Sequence, residues 1–335
     1  MTTRPRLLLN LARPWGETDP LTLARRAVEV GFDGVGLADS PRLMPDCWLE
    51  SERLLATTST ALVGPVVASL GLRHPATVAG ALRTLENHHP GRAFAVVGRG
   101  ESSVRNEGLA IPSLRAYADG LSLLRDRLRA DDGADLLPGR LLGAASGPRT
   151  ITVTATVLGG VLLDVGSDPG TVSRAVALAR ADDPATNVWL FLRALVVPDP
   201  AQAASASAAL LGSCASRMAA APEWFGLDAE QLTLVRTVAD RHDYLQHGSA
   251  SAADVVDDAP ARLVRDRFLL VASAPEVAAR VATLTGDTGI GGMGGMGGID
   301  GVVLAGGLPG VVPGLSDLAA AVTAGFAPVP SQESS

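Results

Sequence analysis

The chain has 335 residues, 47% of them hydrophobic, and a formal net charge of −7. Such a length suits one large α/β domain with a sizeable core, and the acidic balance without a basic cluster argues against nucleic acid or anionic membrane as partners. All 28 basic residues are arginine, which excludes chemistry that needs an internal lysine, such as a Schiff base or the GK[ST] of a P-loop.

In chain order, Arg6 to Ala12 reads as a buried strand. Asp19-Pro20 then supplies an N-cap followed by proline at the first helical position, and Leu21, Ala24, Ala27 and Val28 recur at helical spacing until Gly31. A second strand, Asp33 to Leu37, ends at Ala38-Asp39-Ser40, and a helix follows from about Cys47 to Thr58. The third strand, Ala61 to Val67, contains Gly64-Pro65. Proline is kept out of a central ladder unless the ladder is broken there, so a bulge with a cis Gly64–Pro65 bond is expected. Arg73-His74-Pro75 opens a third helix, which runs through Glu86.

The stretch Gly91 to Gly108, GRAFAVVGRGESSVRNEG, organises the rest. Its apolar run, Ala93 to Val97, reads as a buried strand that opens into a loop of two glycines, a carboxylate and two hydroxyls. Glycine lets a ligand come close to the main chain. A helix from Leu114 to Arg129 follows, then Ala144-Ala145-Ser146-Gly147-Pro148 and strands at Thr150 to Ala155 and Gly160 to Val165. Asp168-Pro169 starts another helix, and the seventh strand, Asn187 to Val197, reads as apolar throughout. Residues 198–270 show only helical patterns, an insertion that holds Trp224-Phe225, His242 and His247. After a helix from Ala274-Pro275 comes a Gly/Met-rich segment, 286–299, which reads either as a linker or as a lid with Met293 and Met296. The eighth strand is Ile299 to Ala305 and the last helix Leu315 to Ala324.

Strict alternation of strands and helices implies a parallel sheet, and eight units close naturally into a (β/α)8 TIM barrel, here one domain over 1–335 with a helical insertion after strand 7. An open doubly wound sheet is the alternative. In either, ligands bind at the carboxyl ends of the strands. Asp39 stands at such an end, with capping of the next helix as its competing role. Glu101 is the candidate for proton transfer, since a carboxyl in a dry pocket has a raised pKa; the competing reading is a solvated loop carboxylate. Ser102, Ser103, Ser146 and Gly147 are candidates for phosphate contacts. His74 supports a helix start, His88 and His89 sit at a helix end, and the i, i+5 spacing of His242 and His247 does not build a metal site. Cys47 and Cys214 form no metal or redox spacing and fit a reducing compartment. Neither a signal peptide nor a membrane span is read, so a cytoplasmic location is expected.

Taken together, Gly31-Phe32-Asp33-Gly34, Asp39, Gly64, Arg73-His74-Pro75, Gly98-Arg99-Gly100-Glu101-Ser102, Ala144 to Pro148 and Asp300-Gly301-Val302-Val303 resemble the bacterial luciferase-like superfamily. The closest branch looks like the coenzyme F-420 (deazaflavin)-dependent oxidoreductases of the methylenetetrahydromethanopterin reductase type. The resemblance implies a barrel with the deazaflavin, or alternatively FMN, across the strand ends and a cis-peptide bulge behind the ring, which Gly64–Pro65 would provide. It implies cofactor contacts from Asp39, Gly64, Pro65, Gly98, Gly100, Glu101, Ser102, Ser103, Ala145, Ser146 and Gly147, no metal, and a homodimer. In the sugar-phosphate dehydrogenases of this group a catalytic histidine follows the aspartate that ends strand two, with a tryptophan soon after; here those positions are Ser40 and Met44. Reduction of a C=C or C=N bond is therefore favoured over alcohol oxidation, with Glu101, or water held by Asp39 or Ser40, as the acid. The Asp-Gly that often ends strand six in relatives falls in the Leu158-Gly159-Gly160 region here. Few charged residues are expected at the mouth, which suits an apolar or amide-like natural-product or modified-peptide substrate. The alternatives are an FMN-dependent monooxygenase and a non-catalytic cofactor-binding barrel.

Overall fold

The computed structural model describes residues 4–12, 19–241, 256–286 and 298–306. Its strands are β1 (Arg6–Leu11), β2 (Gly34–Leu37), β3 (Leu62–Ser69), β4 (Ala95–Gly98), β5 (Leu141–Ala145), β6 (Gly160–Leu163), β7 (Asn187–Val196), β8 (Leu269–Ala272) and β9 (Gly301–Ala305). Every pairing among the described strands is parallel, and the circuit closes because β9 joins β1 to β7 while β7 also pairs with β6. β1 to β7 and β9 thus form the expected (β/α)8 barrel. β8 stands outside that circuit: it extends the ladder along Arg193–Val196, the last part of β7. The four residues Leu269–Ala272 are too few to show a strand period between two helices, and they were not foreseen.

The helices are α1 (Pro20–Glu29), α2 (Cys47–Thr57), α3 (Pro75–His88), α4 (Ser102–Asn106), α5 (Leu114–Arg127), α6 (Pro148–Leu158), α7 (Pro169–Ala179), α8 (Ala203–Ala220), α9 (Ala229–Ala239), α10 (Ala259–Phe268) and α11 (Ala274–Thr285). Among the described residues, the helical insertion that follows β7 holds α8, α9 and α10. Local chemistry starts most of them. Asp46 and Asp168 accept hydrogen bonds from the first free backbone N–H groups of α2 and α7, and a capping box, Asp228 with Gln231, opens α9. Asp19 precedes α1 without capping it; its carboxylate pairs with Arg53 of α2 instead.

One expected strand is a helix. The β-branched run in Thr150 to Ala155 reads as a strand, yet it lies within α6, which has Pro148 in its first turn and ends at Gly159 in the left-handed conformation, φ +64. The fifth strand is Leu141–Ala145, whose small residues gave a weak apolar signal. The structure also corrects the third strand. The cis peptide bond joins Val66 to Val67, and the ladder to β4 shifts register between Val66 and Ala68. Gly64 serves close packing: a Cβ there would lie 1.6 Å from the carbonyl oxygen of Phe94. Leu158-Gly159-Gly160 opens β6 at the end away from the strand termini where ligands bind. The expectations for His242, His247, most of segment 286–299 and the final helix at 315–324 lie outside the described residues.

Side chains alternate across each strand, and the inward set fills the barrel in order of height. Leu8, Leu62, Phe94, Leu142, Leu162, Trp189 and Val303 form an interior cluster, with the rings of Phe94 and Trp189 5.1 Å apart. A Cβ on Gly301 would meet Trp189 at 2.4 Å, so glycine makes room for the indole. A second, larger cluster lies between strands and helices. Ion pairs tie the amino-terminal end: Arg140 with Glu86, Arg4 with Asp33, and Arg180 with Asp300.

Candidate active site

The same alternation that packs the lower barrel leaves the upper end open. A cavity of about 530 Å³ lies over the carboxyl ends of the strands, a size that suits a small molecule or cofactor. Asn10, Ala38, Val66, Gly98, Ala144, Leu162, Phe191 and Ala305 bring one residue to it from each of the eight barrel strands or the turn that follows, and α8 of the insertion forms a further wall.

Asp39 lines this cavity, but both of its oxygens are occupied. Arg73 donates Nε to Oδ2 and a terminal nitrogen to Oδ1, each at 3.0 Å, and the aspartate side chain is 1% exposed. The same guanidinium reaches Asp46 at 2.8 Å. Burial pushes the Asp46 carboxyl up, but the bond from Arg73 and the α2 backbone amides outweigh it, so its pKa lies below the ordinary value. The backbone N–H of Ser69 points to Asp39 Oδ2 at 3.4 Å, and Ser69 Oγ donates to the carbonyl of Arg99 at 3.3 Å. Asp39 therefore helps fix the loop that follows β4.

That loop sits where the glycines predict. Gly100 has φ +77, and a Cβ there would fall 1.8 Å from Ser69 Oγ; one on Gly98 would lie 2.8 Å from Val67. Tyr117 of α5 donates to the carbonyl of Val97 at 3.0 Å, and burial raises the pKa of its phenol, so it acts as a neutral clamp under the loop. Glu101, Ser102, Ser103 and Ser146 line the cavity with no side-chain hydrogen-bond partner among the described residues. Polar groups gathered without partners at a glycine-walled cleft are a donor and acceptor set awaiting a ligand.

The structure brings together Asp39, Ser40, Gly98, Gly100, Glu101, Ser102, Ser103, Ala145 and Ser146 around the one cavity. Gly64, Pro65 and Gly147 are not among its lining residues. Gly64 and Pro65 stand in the ladder opposite Gly36 and Leu37, while Gly147 caps α6. Val66 and Val67 take the place at the cavity wall assigned to Gly64–Pro65. His74 caps α3, its Nδ1 accepting from Ala76 N at 3.2 Å, and Cys47 and Cys214 are buried free thiols. Glu52, His88 and His89 gather within 4.8 Å, but Arg92 donates to His89 Nδ1 at 3.1 Å. The Nε2 of that ring then keeps the proton and donates to Glu52, a hydrogen-bonded cluster rather than a set of free metal ligands.

Three charged residues were missed. Asp164 follows β6, Arg193 lies in β7, and Arg217 comes from α8. Arg193 grips Asp164 through both terminal nitrogens, and Arg217 Nε reaches it at 2.9 Å. Burial pushes the Asp164 carboxyl up, but the two guanidiniums more than offset this, so its pKa is lowered. A signal was present: Trp189, Phe191 and Arg193 are alternate residues of one strand, and an arginine on the inward face of a barrel strand needs a partner. With Asp39, Arg99, Glu101, Asp164, Arg193 and Arg217 at the cavity, the expectation of few charged residues is overturned. Among the described residues no helix is long and apolar enough to cross a membrane.

A search of curated protein sequences finds no match. Solved structures do match in fold. The coenzyme F-420-dependent tetrahydromethanopterin reductase from Methanopyrus kandleri aligns with a TM-score of 0.71 at 16% identity, covering 97% of this chain and 100% of that one. An F-420-dependent secondary alcohol dehydrogenase aligns at 0.68 and 18% identity, covering 96% and 99%. The EDTA monooxygenase from Chelativorans sp. BNC1 aligns at 0.59 and 15% identity, covering 96% and 94%. The sequence model of the luciferase-like monooxygenases matches residues 16–290, which include every described strand that closes this barrel except β1 and β9. The chain belongs to the luciferase-like monooxygenase family.

Proposed function

We propose that this chain is an oxidoreductase that uses the deazaflavin coenzyme F-420 to reduce a C=C or C=N bond of a small molecule. The observation that supports this most is the cavity wall: Val66–Val67, Gly98 and Gly100 present backbone and small groups, while Ser102, Ser103 and Ser146 offer unpartnered hydroxyls. Such a wall fits a flat ring with a polar tail. When bound, a reduced deazaflavin supplies a hydride for an electrophilic carbon. The protein's own part is then to hold the ring, exclude water and deliver a proton.

Glu101 is the acid in this reading. Its side chain has no protein partner among the described residues and lines the cavity beside Gly100. Asp39 is saturated by Arg73 and acts by positioning. Ser40 occupies the position at which the resemblance to the sugar-phosphate dehydrogenases implies a catalytic histidine, and a serine hydroxyl is a poor proton acceptor near neutrality.

A second reading, an FMN-dependent monooxygenase, is favoured by the description of the family and by the EDTA monooxygenase fold match. Reconstitution with each reduced cofactor, with and without air, separates the two. Oxygen-independent turnover of an activated alkene or imine with reduced F-420 supports the reductase. Oxygen consumption with reduced FMN, and none of that turnover, rejects it.

A further inference from the structure

The cavity is electrically lopsided. On the β2–β3 side Asp39 lines the cavity, and behind it one guanidinium, Arg73, lies between two carboxylates, Asp39 and Asp46, with neither Arg73 nor Asp46 on the cavity wall. On the β6–β7 side the arrangement is inverted: one carboxylate, Asp164, lies between two guanidiniums, Arg193 and Arg217. The second set therefore carries one positive charge in excess.

That charge is only partly open to water, the Arg217 side chain being 21% exposed. Arg193 is 8% exposed at its side chain and faces the rings of Phe191 and Phe268, with centroid distances of 4.9 and 5.3 Å. Its terminal nitrogens are spent on Asp164. Arg217 Nε lies 2.9 Å from Asp164 as an ion pair, and one terminal nitrogen donates to the carbonyl of Ser213, also at 2.9 Å. Its other terminal nitrogen has no partner among the described residues. Around it α8 turns Ala206, Ala209, Leu210 and Ala220 to the cavity, and none of these side chains offers a polar atom. An uncompensated charge beside apolar walls is costly unless an anion answers it.

We propose that Arg217, backed by Arg193, receives a carboxylate of the substrate, so that the chain acts on small organic acids whose apolar body lies against Phe191 and the alanine face of α8. The inference rests on reading the cavity as a redox site and replaces the neutral, amide-like substrate expected from sequence. One excess charge and one open guanidinium edge suit a singly charged carboxylate. The serine hydroxyls that suit a cofactor phosphate stand apart, after β4 and β5. The shared chemistry is an anion, and the test distinguishes its two sources.

The full chain is titrated calorimetrically with crotonate, with its neutral isostere crotonamide and with inorganic phosphate, each with and without saturating F-420. The expected result is millimolar or tighter binding of crotonate, with crotonamide and phosphate at least tenfold weaker. Arg217→Gln should weaken crotonate at least tenfold while F-420 affinity changes less than threefold; Arg217→Lys, which keeps the charge, should retain crotonate within about fivefold. Melting curves check that both variants fold, and if Arg217→Gln does not, the Lys variant and the crotonamide comparison decide. Equal binding of crotonate and crotonamide, no binding of either, or loss of crotonate in Arg217→Lys overturns the proposal. Competition between crotonate and F-420, with F-420 lost in Arg217→Gln, assigns the charge to the cofactor's phosphate and also overturns it. Selective crotonate binding by a protein that takes up neither F-420 nor FMN leaves the carboxylate site standing and rejects the redox reading.

Discussion

Arg73 holds Asp39 through two bonds of 3.0 Å each, so the carboxylate at the end of β2 is bound on both oxygens before any ligand arrives. Asp39 lines the cavity, yet its work is architectural: it anchors Ser69, and through Ser69 the loop that carries Gly100 and Glu101.

Asp39→Asn should therefore cost both stability and cofactor affinity. Removing one partner of a buried ion pair costs roughly 3–5 kcal/mol; because Arg73 keeps Asp46 and is 22% exposed, about 2–3 kcal/mol is expected. Urea unfolding measures it, and a loss below ~0.5 kcal/mol would show that the pair does not brace the loop.

Gly100→Ala should be worse for binding than for folding. A side chain at φ +77 is strained, and its Cβ would meet Ser69 Oγ at 1.8 Å. A cost of about 1–3 kcal/mol in stability is expected, with a loss of cofactor affinity of tenfold or more. Urea unfolding and F-420 titration of the variant check both, and a Gly100→Ala protein as stable as the wild type and binding F-420 equally would show that this position is not crowded.

Acid should unfold this protein through carboxylates bound to arginine. Asp164, Asp46 and Glu86 all have pKa values lowered in the fold: burial raises each, and the neighbouring arginines, joined by backbone amides at Asp46 and Glu86, together outweigh it. A lowered folded pKa adds stability above the unfolded value, about 4, and that stability is lost as pH falls through the folded values. Unfolding free energy should be flat from pH 7 to about pH 5 and fall below about pH 4. Asp46→Asn should reduce the steepness of the fall, and an unchanged slope would remove Asp46 from the set.

Glu101→Gln should slow turnover more than tenfold, which is about 1.4 kcal/mol of barrier, while leaving cofactor affinity nearly unchanged. Single-turnover kinetics with a solvent isotope comparison checks it. A loss under tenfold would move the proton source to water or to another group.

The barrel was legible because strands alternate with helices, and helix starts such as Arg73-His74-Pro75 and Asp168-Pro169 are local signals. The loop from Gly98 to Ser103 was legible for the same reason: glycines, a carboxylate and hydroxyls stand together in sequence. Val66–Val67 was not, because nothing in two adjacent valines marks a register shift that the neighbouring strands impose. α6 was misread because its β-branched residues favour a strand locally, while packing against β5 and α5 makes it a helix. The set of Asp164, Arg193 and Arg217 was hidden by distance: three elements, one of them in the insertion, meet only once the chain has folded.

The central claim is that this cavity holds a deazaflavin. It is tested most directly by equilibrium fluorescence titration of F-420 with the purified protein, alongside FMN. Saturable one-to-one binding of F-420 at micromolar or lower concentration is expected, weakened at least tenfold by Gly100→Ala. Absence of saturable F-420 binding, or equal binding by the wild-type and Gly100→Ala proteins, would contradict it.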